Sequence, residues 1–422
     1  MTKILPFQGI FYNSQKIDDF AKVVSPPYDV ISPEEQKELY RRHPLNIVRI
    51  DYGKVFFKDS QRDNRYTRAR DLFQKWLREK ILIQDKASCF YLLSQEFTYR
   101  GNKFVRWGII GRARLYEKRR VFLHEKTSLL PKEDRFKLLK AVRANLNPIF
   151  TLFEDKNRFI YNLSNFYLPK QPFIQFNFSQ VKHCLWRIDR PDLITNIQRE
   201  MENKNIFIAD GHHRYEVSLL YQRYRRKANP HHTGKEDYNY VMAYLTPMED
   251  KALKILSIHR LIKELPPAFW DKLNLYFEIL PCGKDYLLNG LDKTESNAYL
   301  LGIYLGKGKY FLLRLRSNLD PEKLIFQNKP AVWKKLDVSL FQAIILEKVF
   351  SLNNSNFELI SYTPNLEEAI QRVNNHEFKI AFFLRPTSVC AVKEIALLRE
   401  RMPHKSTYFY PKLPSGLIIN PV

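Results

Sequence analysis

The sequence predicts an α+β fold, because it combines antiparallel hairpin patterns with amphipathic helical patterns. Two strand-like runs at residues 88–99 and 103–115 flank a Gly-Asn pair, which is a hairpin signal. Apolar residues recur with helical spacing over residues 63–80. A short apolar run at 206–209 stops at a glycine turn, and a helical pattern follows it. We expect the functional site to be organised around this last stretch.

Length and composition indicate a multidomain globular protein. At 422 residues the chain is long enough for two or three domains with ample cores. Hydrophobic residues make up 45% and charged residues 27%, values typical of globular proteins. Weak periodicity over 154–180 and a later Leu-Pro-Pro run mark two composition boundaries. We therefore predict an N-terminal α/β region at 1–160, a core at 161–265 and a C-terminal α/β region at 266–422.

The charge balance is strongly basic. Lys and Arg number 69 and Asp and Glu number 45, which gives a net charge of +24. Such an excess attracts polyanions, including nucleotides, nucleic acid and anionic membrane surfaces. The alternative is that the protein simply has a basic surface, as many proteins of a basic proteome do. Charge alone therefore selects no partner.

Cysteine usage and the N-terminal sequence indicate a reducing, cytoplasmic location. Cys89, Cys184, Cys282 and Cys390 are far apart, and none forms a Cys-x-x-Cys pair. Few cysteines in a long chain are typical of a reducing compartment. The N-terminal residues lack the apolar core of a signal peptide, and no apolar stretch is long enough to span a bilayer. We expect a cytoplasmic protein.

Local signals place the remaining elements. Ser32 followed by Pro33 predicts a capped helix that ends before Pro44. The apolar run at 46–52 predicts a strand, and Pro131 suits the first turn of another helix. Further strands are expected at 149–153, 240–245, 255–258, 298–305, 309–315 and 378–384, and further helices at 337–350 and 389–398.

The glycine turn carries a dense polar cluster, Asp-Gly-His-His-Arg at 210–214. Gly211 permits backbone conformations that other residues resist. A strand, a glycine turn and a helix start together direct backbone N–H groups and the positive end of the helix dipole at an anion. Arg214 can grip a phosphate with two hydrogen bonds, and His212 and His213 can donate hydrogen bonds or move protons. The alternative is a polar cluster that only caps the helix.

Two further polar loops are candidates for the site. His-Glu-Lys-Thr at 124–127 lies between a strand and a helix, where catalytic groups often lie. Its alternative is a solvated charged loop, which the pattern alone favours. Lys405 is followed by two hydroxyl residues in a proline-punctuated loop that could hold a phosphate or carboxylate, or be an ordinary polar loop. His231 and His232 are adjacent, but no second ligand pair has metal-binding spacing.

Five of these stretches form a specific combination. They are Pro-Pro-Tyr-Asp-Val at 26–30, His-Glu-Lys-Thr at 124–127, Pro-Lys-Glu-Asp-Arg at 131–135, Ala-Asp-Gly-His-His-Arg-Tyr at 209–215, and the loop at 402–416. Together they resemble a widespread prokaryotic family of unknown function that is often labelled ParB-like. The resemblance covers nearly the whole chain. It implies a ParB/sulfiredoxin-like nucleotide-binding core with additional α/β regions at both ends.

The 210–214 corner is also similar to the nucleotide-phosphate corner of the wider ParB and sulfiredoxin superfamily. Within it, the corner resembles that of the archaeal free serine kinase, which uses ADP to phosphorylate L-serine. The resemblance implies that Gly211, His212, His213 and Arg214 bind nucleotide phosphates around magnesium. It also implies that Asp210 faces the substrate or the metal.

The activity that this resemblance implies is a nucleotide-binding phosphotransferase, using ADP or ATP and Mg²⁺ on a small hydroxyl compound. Phosphoryl transfer depends on positioning, on cations at the phosphates and on a residue that orients the nucleophile. Lys405 and Thr407 are expected to add to the nucleotide-binding residues. Glu125, Asp210 and His212 are the expected catalytic residues, with Glu125 or Asp210 as acceptor of the hydroxyl proton. We expect all of them to line one cleft with Arg214.

Two other functions stay open: a nucleotide-dependent, ParB-like DNA-binding protein and a non-catalytic ligand sensor. The net charge of +24 favours DNA binding, but no clear helix-turn-helix pattern follows residue 216. Sulfiredoxins carry a reactive Cys, and ParB proteins a Glu, at the place of His212. The catalytic glutamate of the serine kinase has no counterpart that aligns. These patterns do not identify the acceptor substrate, the nucleotide or the oligomeric state.

Overall fold

The protein is described by a computed structural model over residues 2–116, 120–167, 170–292, 298–325, 328–352 and 359–422. The chain divides into two compact units. The first comprises Met1–Leu123, Thr127–Lys254 and Pro411–Val422, and the second comprises His124–Lys126 and Ile255–Tyr410. Most of the second unit is therefore an insertion into the sequence of the first. The three predicted regions, 1–160, 161–265 and 266–422, stay a prediction about domain organisation.

The strands are numbered in chain order. They are β1 (Ile4–Leu5), β2 (Ile10–Tyr12), β3 (Leu82–Gln84), β4 (Phe90–Tyr99), β5 (Asn102–Arg114), β6 (Val121–Phe122), β7 (Ala144–Asn145), β8 (Ile149–Phe153), β9 (Ile174–Phe178), β10 (Val181–Ile188), β11 (Ile206–Asp210), β12 (Tyr240–Pro247), β13 (Lys254–Leu256), β14 (His259–Ile262), β15 (Phe277–Cys282), β16 (Leu300–Tyr304), β17 (Tyr310–Leu315), β18 (Ile360–Thr363), β19 (Ile380–Phe383), β20 (Tyr408–Tyr410) and β21 (Asn420–Pro421).

The helices are numbered in the same way. They are α1 (Phe20–Val23), α2 (Pro33–Arg42), α3 (Val48–Asp51), α4 (Arg65–Arg78), α5 (Leu129–Val142), α6 (Phe159–Tyr167), α7 (Pro191–Met201), α8 (His212–Lys227), α9 (Phe269–Asn274), α10 (Lys284–Asp292), α11 (Pro321–Leu324), α12 (Ala331–Lys334), α13 (Asp337–Leu340), α14 (Leu366–Asn374) and α15 (Val389–Leu397). Short 3₁₀ turns lie at Tyr28–Val30 and Asp237–Asn239, and a π-helical segment at Phe341–Val349 continues α13.

The first unit is built on a nine-stranded mixed sheet with the order β6-β11-β8-β12-β5-β4-β10-β9, in which β1 also pairs with β5. The predicted hairpin is confirmed, since β4 and β5 pair antiparallel around the Gly-Asn turn. Strand β11 pairs parallel with β6 and antiparallel with β8. Strand β11 therefore lies one strand in from the β6 end of the sheet, and its carboxyl end leads into α8.

Apolar burial fixes α8 and the sheet around the glycine turn. Ile206 and Ile208 of β11 are buried in the same apolar core as Tyr215 of α8. Val217 and Tyr221, on α8, pack with Leu139 of α5 in a second cluster. This apolar contact packs the last turn of α5 against α8.

Residues 411–422 return to the first unit and pair with distant parts of its sequence. Strand β21 pairs antiparallel with β7. Isolated bridges join Ser25 to Ser415 and Ile10 to Ile419. Leu417, Ile418 and Ile419 are buried, so this segment belongs to the core. The first unit is therefore closed by residues from both ends of the sequence.

The second unit contains a six-stranded antiparallel sheet with the order β15-β17-β16-β19-β14-β18. Helices α10 and α14 cover it through an apolar cluster that includes Leu287 and Ile370. The strands expected at 298–305 and 309–315 are present as β16 and β17, which pair antiparallel. Ser388 caps α15, because its side chain accepts a hydrogen bond from the Ala391 N–H.

The strand predicted at 46–52 is wrong, because this segment contains the helix α3. The Asn46 side chain accepts from the Val48 N–H at 3.0 Å and starts the helical turn. It also donates to the carbonyl oxygens of Lys22 and Val24 at 2.7 and 2.9 Å. A buried apolar run this short has no periodicity that separates a strand from a helix. The strand expected at 255–258 is also displaced, since β13 ends at Leu256.

Candidate functional site

The strand, glycine turn and helix predicted at 206–216 are present. Strand β11 ends at Asp210, and α8 begins at His212. Gly211 has a φ of +87°, in the left-handed region that favours glycine. A Cβ atom at this position would also lie 2.9 Å from the guanidinium of Arg214. Any other residue here would therefore strain the backbone and displace Arg214.

Arg214 is folded back onto this turn. Its Nη2 donates to Asp210 Oδ2 at 2.9 Å, and its Nη1 donates to Asn147 Oδ1 and to the Pro148 carbonyl oxygen. Only 15% of the side chain is exposed. The guanidinium is thus held rigidly beside the first turn of α8, where a phosphate would meet helix N–H groups.

Lys412 brings a second cation to the same carboxylate. Its Nζ donates to Asp210 Oδ1 at 2.5 Å, and its side chain is 14% exposed. Asp210 therefore lies between Lys412 and Arg214, with one carboxylate oxygen on each. Lys412 is absent from the residues predicted from the sequence. The signal that could have found it is its position inside the family-like loop at 402–416.

A cavity of about 60 Å³, partly open to solvent, adjoins Arg214. Its apolar lining includes Leu138, Leu139, Leu146, Val217 and Val241, and its polar lining includes Tyr28, Asp51, Arg135, Asn147, Arg214 and Ser415. These polar residues include members of the motifs at 26–30, 131–135, 209–215 and 402–416. Four of the five motifs that carry the family resemblance thus contribute to one cavity of the first unit.

A chain of hydrogen bonds runs along the wall of this cavity. Asn147, which accepts from Arg214, donates through Nδ2 to Ser415 Oγ at 3.0 Å. Ser415 donates to Asp51 Oδ2 at 2.7 Å. Arg135 donates to Asp51 Oδ1 at 3.1 Å and to the Asp51 carbonyl oxygen at 2.7 Å. Because these groups are largely buried, each bond is made in a medium of low dielectric and fixes its partners firmly.

Arg135 is surrounded by acidic and aromatic groups. It donates to Asp134 Oδ2 at 2.7 Å, and its guanidinium lies 4.0 Å from the centre of the Tyr28 ring. Burial raises the pKa of Asp134, but Arg135, Tyr66 and Arg65 outweigh it, so the net pKa of Asp134 is lowered. Burial, followed by the Asp29 charge, raises the pKa of Tyr28, so its hydroxyl stays protonated at neutral pH. Tyr28 therefore offers the cavity a hydroxyl donor on a fixed ring.

The first turns of α8 also contact the loop before α5. His213 Nε2 accepts from the Ser128 N–H at 3.1 Å. Glu216 Oε2 accepts from the Thr127 hydroxyl and, at 3.3 Å, from Lys132 Nζ. His212 is only 2% exposed and faces the interior. Of the two predicted histidines, His213 is thus the more accessible.

Glu125, Lys405 and Thr407 belong to the second unit, where the structure brings their two loops together. Glu125 forms an isolated parallel bridge with Met402, and His124 Nε2 lies 3.0 Å from Thr407 Oγ1. The carbonyl oxygen of Lys405 accepts from Arg260 at 2.9 Å. The expectation that these residues line one cleft with Arg214 stays a prediction.

The Asp210 carboxylate does not fit a magnesium ion held by the protein alone. Both of its oxygens already accept from cationic side chains, Lys412 and Arg214. Within the described ranges, no group of three or more His, Cys, Asp or Glu side chains is arranged to hold a metal. Mg²⁺ commonly reaches such sites with the phosphates and waters of its nucleotide. The metal role of Asp210 therefore stays a prediction.

Comparison with known protein families gives one match that spans most of the chain. Residues 4–339 match the family described as "Protein of unknown function (DUF1015)". The chain belongs to this family. The matched residues include Tyr28, Arg135 and Arg214. Lys412 lies outside the match. The link to the ParB and sulfiredoxin superfamily stays a hypothesis. A search of the curated proteins finds no match.

Among solved structures, the DUF1015 chain is distantly similar to three proteins. A conserved hypothetical protein from Pyrococcus furiosus has 13% identity and a TM-score of 0.34, covering 70% of this chain and 90% of that one. Free serine kinase in complex with AMP has 12% identity and a TM-score of 0.34, covering 69% and 83%. C-terminally truncated SbnI from Staphylococcus aureus has 10% identity and a TM-score of 0.35, covering 72% and 84%. These TM-scores are too low to show a common fold.

Proposed function

We propose that the protein is a nucleotide-binding phosphotransferase that acts on a small hydroxyl compound. The observation that carries the proposal is the Arg214 guanidinium, which Asp210 holds beside the glycine turn where β11 leads into α8. Phosphoryl transfer needs fixed positive groups around the phosphate more than it needs covalent chemistry. A glycine turn that opens a 16-residue helix adds the positive end of the helix dipole.

Phosphate binding at this corner would draw on groups that are already in place. The first-turn N–H groups of α8 follow Gly211, which has no side chain to cap them. Arg214 and Lys412 lie beside that turn, each held by Asp210. Groups that are fixed before the ligand arrives lose little entropy on binding, which strengthens both affinity and transition-state stabilisation. Asp210 acts here as the anchor of the two cations.

The lining of the adjoining cavity would contact part of the rest of the ligand. Its apolar side, including Leu146 and Val217, would cover a nonpolar group, and Tyr28 would donate a hydrogen bond from its hydroxyl. Binding pockets for small molecules commonly combine mostly apolar walls with a few fixed polar groups.

The proton acceptor stays predicted as Glu125 or Asp210. A general base must reach the hydroxyl of the acceptor within hydrogen-bond distance. Nucleotide-borne Mg²⁺ would supply positive charge at the phosphates in the usual way for kinases. The residues that this chain contributes are then the phosphate-binding groups around Gly211, His213 and Arg214, with Lys405 and Thr407 as predicted additions.

A ligand panel tests the proposal. The purified protein is heated with AMP, ADP, ATP or pyrophosphate, with and without Mg²⁺, and its melting temperature is measured. A ligand that binds only the folded state raises the melting temperature by mass action. We expect ADP or ATP to stabilise the protein, and phosphoryl transfer to a small hydroxyl compound to follow. Failure of every nucleotide to bind would rule out the phosphotransferase.

A further inference from the structure

Two buried side chains of the first unit's sheet hold the backbone from which Lys412 extends. Gln95 lies on β4 and Arg106 lies on the neighbouring strand β5, and both are fully buried. Arg106 Nη2 donates to Gln95 Oε1 and, at 2.6 Å, to the Pro411 carbonyl oxygen. Gln95 Nε2 donates to the Lys412 carbonyl oxygen at 3.2 Å. The two side chains thus bind two successive carbonyl groups of one loop.

A buried guanidinium is costly unless it is well hydrogen-bonded, so its placement calls for a physical reason. The Arg106 guanidinium also lies 4.5 Å from the centre of the Phe150 ring and 5.8 Å from that of Tyr244. These aromatic faces and the loop carbonyls replace part of the hydration that Arg106 loses. The bonds from Arg106 and Gln95 fix the backbone at 411–412, from which the Lys412 side chain extends to Asp210.

We infer that Lys412 is the second phosphate-contacting cation of the first unit, and that Gln95 and Arg106 are positioning residues that act through its backbone. The inference rests on the proposed function, since it assigns a residue to the phosphate site. Lysine suits this place because its ammonium is a compact charge on a flexible stem, able to move from Asp210 to a phosphate oxygen. The planar guanidinium of Arg214 donates to three acceptors, so Arg214 is the fixed cation of the site.

Substitution of Lys412 tests the first half of the inference. Lys412→Met keeps the apolar stem and removes the charge, and Lys412→Arg keeps the charge. The affinity for ADP and for ATP is measured by calorimetry in the full-length protein. We expect Lys412→Met to weaken binding by roughly tenfold to a hundredfold, the value of one charge-assisted hydrogen bond, and Lys412→Arg to recover part of it. Lys103→Met, which changes an exposed lysine on β5, serves as the matched control.

Substitution of Gln95 tests the second half. Gln95→Glu keeps an acceptor for Arg106 but places an oxygen against the Lys412 carbonyl, where an N–H donor now lies. We expect nucleotide affinity to fall in this variant. In a Lys412→Met background the same change should have no further effect on affinity, because the residue that it positions is already gone. A purely structural role would weaken binding equally in both backgrounds.

The outcomes separate this inference from the proposed function. If the unmodified protein binds neither ADP nor ATP, the phosphotransferase proposal fails and the inference fails with it. If it binds nucleotide and Lys412→Met binds equally well, only the inference fails. An additive effect of Gln95→Glu and Lys412→Met overturns the positioning role. Should Gln95→Glu not fold, Gln95→Met is measured in the same two backgrounds.

Discussion

Ser415 donates a 2.7 Å hydrogen bond to Asp51, although the two residues are 364 positions apart in the sequence. Both are buried, and both line the cavity beside Arg214. The bond therefore joins the two ends of the sequence at the wall of the candidate site. It also satisfies one oxygen of a carboxylate that water can hardly reach, while Arg135 satisfies the other.

Ser415→Ala should destabilise the first unit by about 1.5–3 kcal/mol, because a buried charged acceptor loses its hydrogen bond. Urea denaturation of the variant and of the unmodified protein measures the difference. Ser128→Ala, which truncates an exposed serine whose side chain does not cap α5, should cause little change. Equal stability of Ser415→Ala and the unmodified protein would mean that Asp51 does not depend on this bond.

Arg214→Ala should weaken nucleotide binding and abolish turnover, since it removes a fixed cation from the phosphate corner. The variant also frees Asn147, Pro148 and Asp210 of their donor, so a loss of stability is expected with it. Arg214→Lys, which keeps the charge, should bind nucleotide better than Arg214→Ala but below the unmodified protein. Calorimetry and a thermal melt on the same samples separate the two effects. Unchanged binding in Arg214→Ala would refute the phosphate corner.

Glu125→Gln should leave nucleotide affinity nearly intact and lower turnover by roughly 10²–10⁴-fold if Glu125 accepts the hydroxyl proton. The substitution keeps the size and hydrogen bonding of the side chain and removes only the proton acceptor. Glu133→Gln, at an exposed position on α5, is the control. Full activity of Glu125→Gln would leave Asp210 as the candidate base, to be tested by Asp210→Asn.

His183 should make stability fall in acid. Burial, with a contribution from Arg106, lowers the pKa of His183 from 6.5 to about 3. Between these two values the unfolded chain binds a proton that the folded protein does not, so stability decreases as the pH falls below 6.5.

The variant His183→Phe measures this effect, because it keeps a ring against Phe176, whose centre lies 5.0 Å away. We expect the loss of stability between pH 7 and pH 5 to shrink by up to about 2 kcal/mol. Urea denaturation at both pH values gives the result. His231→Phe, on an exposed loop, should keep the full loss. An identical pH dependence in His183→Phe and the unmodified protein would exclude His183 as its source.

DNA binding should be weak and independent of sequence, despite the net charge of +24. The affinity of DNA binding through surface Lys and Arg falls steeply as the salt concentration rises. This is because the release of counterions from the DNA then contributes less to binding. Fluorescence anisotropy with several unrelated duplexes across a salt series measures both properties. Tight binding to one duplex at physiological salt would favour the DNA-binding alternative over the phosphotransferase.

Local features of the fold could be predicted from the sequence. The β4–β5 hairpin, the Ser32 cap and the turn at Gly211 follow from turn and capping chemistry, which acts within a few residues. The prediction at 46–52 was wrong because the helix there depends on Asn46 bonding to residues that lie more than twenty positions earlier. Such partners leave no periodic trace in the segment itself.

The candidate site could be predicted only in part. Asp210 and Arg214 are four positions apart, so their contact follows from the start of one helix. Lys412 lies 202 positions from Asp210, and a lone lysine between two prolines has no pattern that reveals such a partner. Gln95 and Arg106 are polar residues within strands, and only tertiary structure shows what they hold.

The return of residues 411–422 to the first unit has a consequence for biosynthesis. Chains begin to fold from the N-terminus while they are still being made. The first unit, however, lacks Lys412, Ser415 and β21 until the ribosome has completed the whole inserted second unit. The apolar surface that Ile418 and Ile419 cover in the folded protein therefore stays exposed on the nascent chain through most of translation. Nascent chains of this protein are expected to need chaperone protection, and ribosomes that stall before residue 411 should yield no functional product.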